Sequence, residues 1–245
     1  MKKLISKIKD SVLNLMFPED IKCFFCLNEL NENSTDNTCV DCLKSLPFIH
    51  NPCVRCGVNM DKENMPLCML CKTHNYNFIQ ARSPFVYEDK PLEVVHKLKY
   101  NNMKYLSKHM AKYMGYTYGK WGVFADFVTS VPMFKDKEKK RGYNQATMLA
   151  KDFCALAGLN YLECCRKIKD TESQTTLNIK ERFENVENTF EILPEVKEKI
   201  KGKTILIVDD VITTGATVNE LSKVLLAAGA KECFALSFAH ASLRK

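Results

Sequence analysis

No apolar run in the 245 residues approaches the ~20 that a membrane-spanning helix needs, so no transmembrane segment is expected. A secretory leader is not expected either. The basic stretch 1–17 is interrupted by Lys7, Lys9 and Asp10, and no small-residue cleavage site follows it. Its apolar positions, Leu4, Ile5, Ile8, Val12, Leu15 and Met16, line one face of a helix instead. That pattern fits a helix docked on its own protein, with a membrane-surface anchor as the alternative. A P-loop is also missing. The nearest candidate, Gly115 to Trp121, has its glycines one residue too close and Trp121 where Ser or Thr is required, which argues against an ATPase. Histidine is scarce, and His96, His109 and His240 are isolated and read as structural. There is no long disordered tract, and 46% apolar with 27% charged residues describes a globular chain.

Cysteine, in contrast, is abundant. Twelve thiols without a secretion signal point to a reducing compartment and to metal, not to disulfides. Eight of them form four C-x-x-C pairs: Cys23/Cys26, Cys39/Cys42, Cys53/Cys56 and Cys68/Cys71. One such pair could be a redox site, whereas four within fifty residues predict two tetrahedral zinc ions of structural type, each held by four cysteines. Either consecutive pairs share an ion or the pairs interleave; the spacing allows both. His50 and His74 flank the cysteines, but eight thiols already complete two sites. Cys154, Cys164, Cys165 and Cys233 lack partners at ligand spacing and are expected to be buried thiols.

Zinc also changes the charge. Each ion with four thiolates carries −2, so two filled sites bring the formal +7 to about +3. Global charge is therefore a poor argument for nucleic acid, and local clusters count for more. The stretch from Lys135 to Arg141 holds five basic and two acidic residues, and is expected to be a basic loop. Lys97, Lys99, Lys104 and Lys108 form a second basic region.

The most informative stretch runs from Ile205 to Thr217, ILIVDDVITTGAT. Four consecutive apolar residues read as a strand buried on both faces of a parallel sheet. The strand ends in Asp209 and Asp210, then a short Thr/Gly loop, then helical spacing through Val218, Leu221, Val224, Leu225 and Ala228. Both acids are expected at the carboxyl end of a strand, outside the core, where open α/β sheets bind ligands. The loop opens a helix N-terminus, which favours phosphate. A phosphate cradle beside two acids suits a sugar phosphate, the carboxylates taking ribose hydroxyls or a hydrated Mg²⁺.

Three parts are expected: the amphipathic basic helix 1–17, a zinc module of two four-cysteine sites over 18–76, and an α/β domain 77–245. Within the last, strands are expected over 79–87, 127–132, 161–165, 205–210 and 232–239. Helices are expected over 91–100, 104–118, 145–158, 179–186 and from the loop to Ala228. Gly158 serves as a C-cap. This alternation predicts a mostly parallel sheet with helices on both faces.

The Ile205–Thr217 segment resembles the phosphoribosyl pyrophosphate (PRPP) motif of type I phosphoribosyltransferases. The resemblance implies that Asp209 and Asp210 face the ribose and that Thr213, Thr214, Gly215, Ala216 and Thr217 enclose its 5-phosphate. Thr213 stands where many catalytic members carry an acid, so proton transfer to an acceptor is a separate question from PRPP binding. Knuckles in front and a PRPP motif behind make the whole chain resemble the ComF family. Further matches are Tyr87, Pro91-Leu92 and His96 to Tyr100; Val131-Pro132-Met133; Arg141-Gly142-Tyr143-Asn144-Gln145-Ala146; and Gln174, Leu177, Arg182 and Asn185.

What the resemblance implies is a type I phosphoribosyltransferase-like domain behind a zinc module, in the cytoplasm, acting in natural competence on incoming single-stranded DNA. Its implied cofactors are structural Zn²⁺ and Mg²⁺ with PRPP. Its implied partners are PRPP or a related sugar phosphate, single-stranded DNA, and competence helicase or recombination proteins. Lys135 and Arg141 are candidates for pyrophosphate, Arg141 with a bidentate fork. No catalytic residue is assigned; the candidates are Asp209, Asp210 and Arg141. Two alternatives stand beside this reading: an active phosphoribosyltransferase (a pentosyl transferase) on an unknown nitrogen acceptor, and a DNA-binding adaptor with a regulatory or vestigial PRPP site. For DNA, Phe24, Phe25, Phe48 and Tyr143 are either free to stack bases or buried under the knuckles.

Overall fold

The computed structural model describes residues 21–61, 65–171 and 177–242. The expected N-terminal helix and Gln174 lie outside the described residues. Two units divide the chain, Met1–Leu46 and Pro47–Lys245. The division falls inside the Cys-rich stretch, so the second cysteine cluster belongs to the larger unit, where a boundary near residue 76 was expected.

In the first unit, a knuckle around Cys23 closes with Cys23 N–H donating to the Asn28 carbonyl at 2.7 Å and Leu27 N–H to the Cys23 carbonyl at 2.8 Å. Helix α1 (Val40–Ser45) begins directly after Cys39 and carries Cys42 inward. Phe24 and Phe25 pack edge-on at 4.5 Å and are buried.

The larger unit opens with the second knuckle and helix α2 (Met69–Thr73). There follow β1 (Gln80–Arg82), β2 (Phe85–Val86), α3 (Asp89–Tyr100), α4 (Leu106–Trp121), β3 (Phe127–Ser130), α5 (Lys135–Arg141) and α6 (Gln145–Ala157). Then come β4 (Cys165–Lys167), α7 (Ile179–Val186), β5 (Phe190–Ile192), α8 (Lys197–Ile200), β6 (Thr204–Ile212), α9 (Ala216–Ala227) and β7 (Glu232–His240). The main sheet is parallel throughout, in the order β1-β7-β6-β3, with β2 also on β7. β4 and β5 form a separate antiparallel pair.

Ile205, Leu206, Ile207 and Val208 are fully buried, as their unbroken apolar run requires. Each contributes roughly 1.5–3 kcal/mol of burial. Ile205 and Ile207 join Val218, Leu221 and Leu225 of α9 in one cluster, which contains no residue of α6. By alternation, Leu206 and Val208 face the other side, where α6 packs on β3 and β6. Phe190, Val196 and Ile200, which lead into β6, share the α9 face. The helix after β3 thus packs on one face and the helix after β6 on the other, so the crevice of a doubly wound sheet opens between these two neighbouring strands.

Three elements differ from expectation. The strand expected over 79–87 is broken at Ser83-Pro84, because proline has no N–H for the ladder. Ser83 instead bonds the Ser237 hydroxyl at 2.6 Å. The strand expected over 161–165 is displaced to β4, with Tyr161 making one bridge to Val128. The expected basic loop at Lys135–Arg141 is helix α5. Asp136 and Glu138 in its first turn and Lys139, Lys140 and Arg141 in its last complement the helix dipole. Gly142, at φ 84°, caps it.

The second knuckle covers the edge of the sheet at β1. Ala81 N–H donates to the Arg55 carbonyl at 2.7 Å, and Arg82 Nη1 to the Val54 carbonyl at 3.0 Å. An edge strand that would otherwise expose unpaired backbone is closed by this contact. Gly57 is required there. Its φ is +79°, and a Cβ would lie 2.4 Å from the Ala81 carbonyl oxygen. Among the described residues no helix is long and apolar enough to cross a membrane.

Candidate functional site

The carboxyl ends of β6, β7 and β3 border a cleft of about 1210 Å³. Asp209 and Asp210 both line it. Asp209 Oδ1 accepts from Asp210 N–H, and Asp210 Oδ1 from Val211 N–H, each at 2.8 Å. Asp210 Oδ2 meets Lys99 Nζ at 2.8 Å, with Asp210 only 3% exposed. Asp210 is therefore a buried member of an ion pair, which corrects the expectation that both acids stand outside the core. The backbone beyond Asp209 continues to pair with β7 as far as Ile212–His240, which carries the second acid into the interior.

Asp209 lines the cleft and is half-buried. Burial, and then the neighbouring Asp210 carboxylate, push it well above the usual carboxylate range, against a smaller pull from Lys99. Burial pulls the Lys99 ammonium down, but the Asp210 and Asp209 charges outweigh it and leave the group raised.

The loop after β6 turns into α9 at Gly215, whose φ of +80° only glycine takes without strain. Gly215 has no side chain to cap the helix, and Thr214 Oγ1 accepts from the Ala216 N–H at 3.4 Å; a helix N-terminus of this kind favours an anion. Thr213, Thr214, Gly215, Ala216 and Thr217 all line the cleft, with Thr214, Gly215 and Ala216 buried. The whole expected phosphate loop is therefore brought together with both acids.

The basic residues are sorted differently from expectation. Lys99, Lys137 and Lys167 line the cleft; Lys135 and Arg141 do not. Arg141 Nη1 bonds Gln145 Oε1 at 2.6 Å, and its guanidinium sits 5.4 Å over the Tyr100 ring. Lys135 is exposed on α5. Lys137 pairs with Asp170 at 2.5 Å, and Lys167 donates to Thr171 Oγ1 at 2.7 Å. Burial, then the Lys137 charge, lower the Lys167 amine to about 8. Lys99 had a legible signal, since it follows the buried Val95 by one helical turn. Lys167, on a short strand, had none.

The far wall comes from Asn144 and from the segment Leu177–Arg182. Asn144 caps α6 through Ala146 N–H at 3.0 Å while its amide donates to the Val131 carbonyl at 3.0 Å, tying the Arg-Gly-Tyr-Asn-Gln run to the end of β3. Tyr143, Phe24 and Phe25 are buried and Phe48 packs on Phe85 at 4.9 Å, so the first three are not available to stack bases.

The eight cysteines fall into two groups, Cys23/Cys26/Cys39/Cys42 and Cys53/Cys56/Cys68/Cys71. Consecutive pairs thus come together, which decides against interleaving. Within each group the sulfurs lie within 4.8 Å of one another, the arrangement that could hold a metal ion. A tetrahedron with ~2.3 Å metal–sulfur bonds has edges of about 3.8 Å. Cys26–Cys39 is 3.8 Å and Cys56–Cys68 is 3.6 Å, both too long for a disulfide. Backbone N–H groups already point at the sulfurs, Cys39 at Cys23 Sγ (3.4 Å) and Cys68 at Cys53 Sγ (3.3 Å). Cys154, Cys164, Cys165 and Cys233 are buried, as expected, and burial pushes the Cys154 thiol up to about 11.

A parallel, doubly wound sheet with a Thr/Gly anion loop beside two acids defines a phosphoribosyltransferase-like protein. The family model described as "Phosphoribosyl transferase domain" matches residues 140–243. "Competence protein F" of Haemophilus influenzae is 25% identical over 87% of this chain and 94% of that protein. "Competence protein ComFC" of Streptococcus pneumoniae is 30% identical over 63% of this chain and 65% of that protein. "DNA utilization protein YhgH" of Escherichia coli is 33% identical, over 43% of this chain and only about half, 45%, of YhgH. The chain is similar to the ComF competence proteins over most of its length and is a competence-related, phosphoribosyltransferase-like protein.

Proposed function

We propose that this protein binds PRPP with Mg²⁺ in the β6 cleft, holds zinc in both cysteine groups, and acts in the cytoplasm on single-stranded DNA during natural competence. The observation that carries the reading is the Thr213–Thr217 loop, buried at Thr214, Gly215 and Ala216, lining one cleft with Asp209, Lys99, Lys137 and Lys167. The loop takes the 5-phosphate, Asp209 takes the ribose hydroxyls, and the lysines neutralise the pyrophosphate. The hard carboxylate oxygens of Asp209 fit Mg²⁺, which prefers few protein ligands and keeps its waters, while Asp210 is held by Lys99. When bound, the ion supplies charge neutralisation for the pyrophosphate. Calorimetry with PRPP, with and without Mg²⁺, tests the reading; absence of heat in both would overturn it.

Transfer to a nitrogen acceptor is the second reading, favoured by Lys167. The C1–O bond would break with its electron pair leaving on pyrophosphate, while the acceptor nitrogen bonds C1. The proton it sheds has a recipient in the neutral Lys167 amine, which is available near pH 8. Release of pyrophosphate in an acceptor screen distinguishes this from binding alone. For DNA, support comes from α5, which buries none of its residues, and from Tyr100, 65% exposed beneath Arg141. A mobility shift that weakens with salt and is lost when Lys137, Lys139, Lys140 and Arg141 become Ala is the expected result.

A further inference from the structure

The second cysteine cluster and the phosphate loop are joined by a continuous run of contacts through the segment 74–78. Arg55, inside the first half of the knuckle, donates from Nη1 to the Tyr76 carbonyl at 3.2 Å. The Tyr76 hydroxyl in turn donates to the carbonyl of Thr214 at 2.7 Å, a buried bond spanning 138 positions of sequence. The Tyr76 ring closes over the loop: a Cβ on Gly215 would lie 3.2 Å from Tyr76 Cε1 and 3.4 Å from Phe78 Cζ. Beside it, Asn77 N–H and its side-chain amide reach Asn219 Oδ1 in the first turn of α9, at 2.7 and 3.1 Å. His74 stacks on Phe183 of α7 at 5.2 Å, next to the Leu177–Arg182 segment that forms the far wall. Tyr76, Phe78 and the four cysteines lie in one buried cluster.

A knuckle needed only to close the sheet edge would be complete with its bonds to Ala81 and Arg82. The chain instead runs from Cys71 through α2 and delivers a hydroxyl to the loop that receives the phosphate. We propose that Tyr76 is a positioning residue for the phosphate loop and transmits the state of the second cysteine cluster to it. By holding the Thr214 carbonyl on the inner side, it turns the following N–H groups toward the cleft. Metal in the cluster fixes α2 and so fixes Tyr76. The ligand named for the loop rests on the PRPP reading; the mechanical link does not.

Hydrogen exchange on the ligand-free full chain tests it without any sugar phosphate. Tyr76→Phe keeps the ring and removes the donor. Exchange in a peptide covering 213–221 should accelerate about three- to tenfold, the range that loss of one buried hydrogen bond gives. A peptide covering α6 should be unchanged and metal content should equal the parent's. Asn219→Ala, outside the loop, should act in the same direction more weakly. An unchanged loop peptide in Tyr76→Phe overturns the assignment.

The link to the cluster is read by removing metal with a chelator. Loop protection should fall in the parent, α6 protection should hold, and Tyr76→Phe should lose little more, because both changes break one path. Additive losses overturn the link. So does exposure of the α6 peptide together with the loop, which would make the cluster a support for the whole sheet. PRPP calorimetry should show the same three- to tenfold loss in Tyr76→Phe. A parent that binds no PRPP counts against the proposed ligand, and the exchange result still decides Tyr76.

Discussion

Replacing Lys99 with methionine should destabilise the protein strongly at pH 7 and much less at pH 5. Methionine keeps most of the aliphatic stem that packs in α3, so the change removes the charge and little else. The Asp210 side chain, 4% exposed and 2.8 Å from Lys99 Nζ, then has no cation. Breaking one side of a buried pair costs roughly 3–5 kcal/mol. The cost also has a ceiling, because an orphaned carboxylate can take up a proton instead. Relative to the ordinary ~3.9 of an aspartate in an unfolded chain, and at about 1.36 kcal/mol per pH unit, that ceiling is ~4 kcal/mol at pH 7 and ~1.5 kcal/mol at pH 5. Lys99 does not contribute to this pH dependence. Its value is raised in the folded state, so its stabilisation is fully present below its ordinary 10.5 and is lost only as pH rises through the folded value. Urea denaturation of parent and variant at both pH values reads the difference. A loss of ~3–4 kcal/mol at pH 7 that falls by more than half at pH 5 is expected. A loss below ~1 kcal/mol at pH 7, the size of an exposed pair, or an equal loss at both, would refute the reasoning.

Gly215→Ala should cost ~2–5 kcal/mol, from a left-handed backbone and from overpacking against Tyr76, and should abolish sugar-phosphate binding; unchanged melting would contradict the crowded loop. Lys167, lowered to about 8 by burial, loses its proton as pH rises through that value, so PRPP binding should weaken above pH 8 and Lys167→Arg should flatten the profile. The same shift means the unfolded chain holds the extra proton between about 8 and the ordinary 10.5, so Lys167 makes stability rise with pH in that window. Elemental analysis of protein made without added metal should give close to two zinc per chain; a folded protein with none would remove both metal centres.

Much of this was legible because two signals are local. Four apolar residues followed by Asp209-Asp210 and a Thr/Gly loop determine a buried strand, its ligand end and a helix start within thirteen positions. The cysteine pairs likewise carry their own spacing, though not their pairing, which depends on how α1 and α2 carry Cys42 and Cys71 back to the first sulfurs. The basic residues were harder. The segment 135–141 has no apolar periodicity, so nothing local distinguished a helix from a loop, or Lys137 on the cleft from Arg141 on Tyr100. Tyr76 was illegible for a different reason: its partner is 138 positions away, and only the close approach of the knuckle to the sheet brings them together. The burial of Asp210 depends in the same way on α3 placing Lys99 above the end of β6.

Asp209→Asn, followed by calorimetry with PRPP in the presence and absence of Mg²⁺, tests the central claim most directly. Asp209 lines the cleft without the Lys99 bond that Asp210 makes, so the substitution leaves that ion pair in place. The parent should bind PRPP more tightly with Mg²⁺. The variant, with an unfolding midpoint no lower than the parent's because a carboxylate raised by burial is removed, should lose that gain and bind at least about tenfold more weakly, a difference of ~1.4 kcal/mol. Equal affinity in parent and variant, or a parent that binds no PRPP with Mg²⁺ present, would contradict the account.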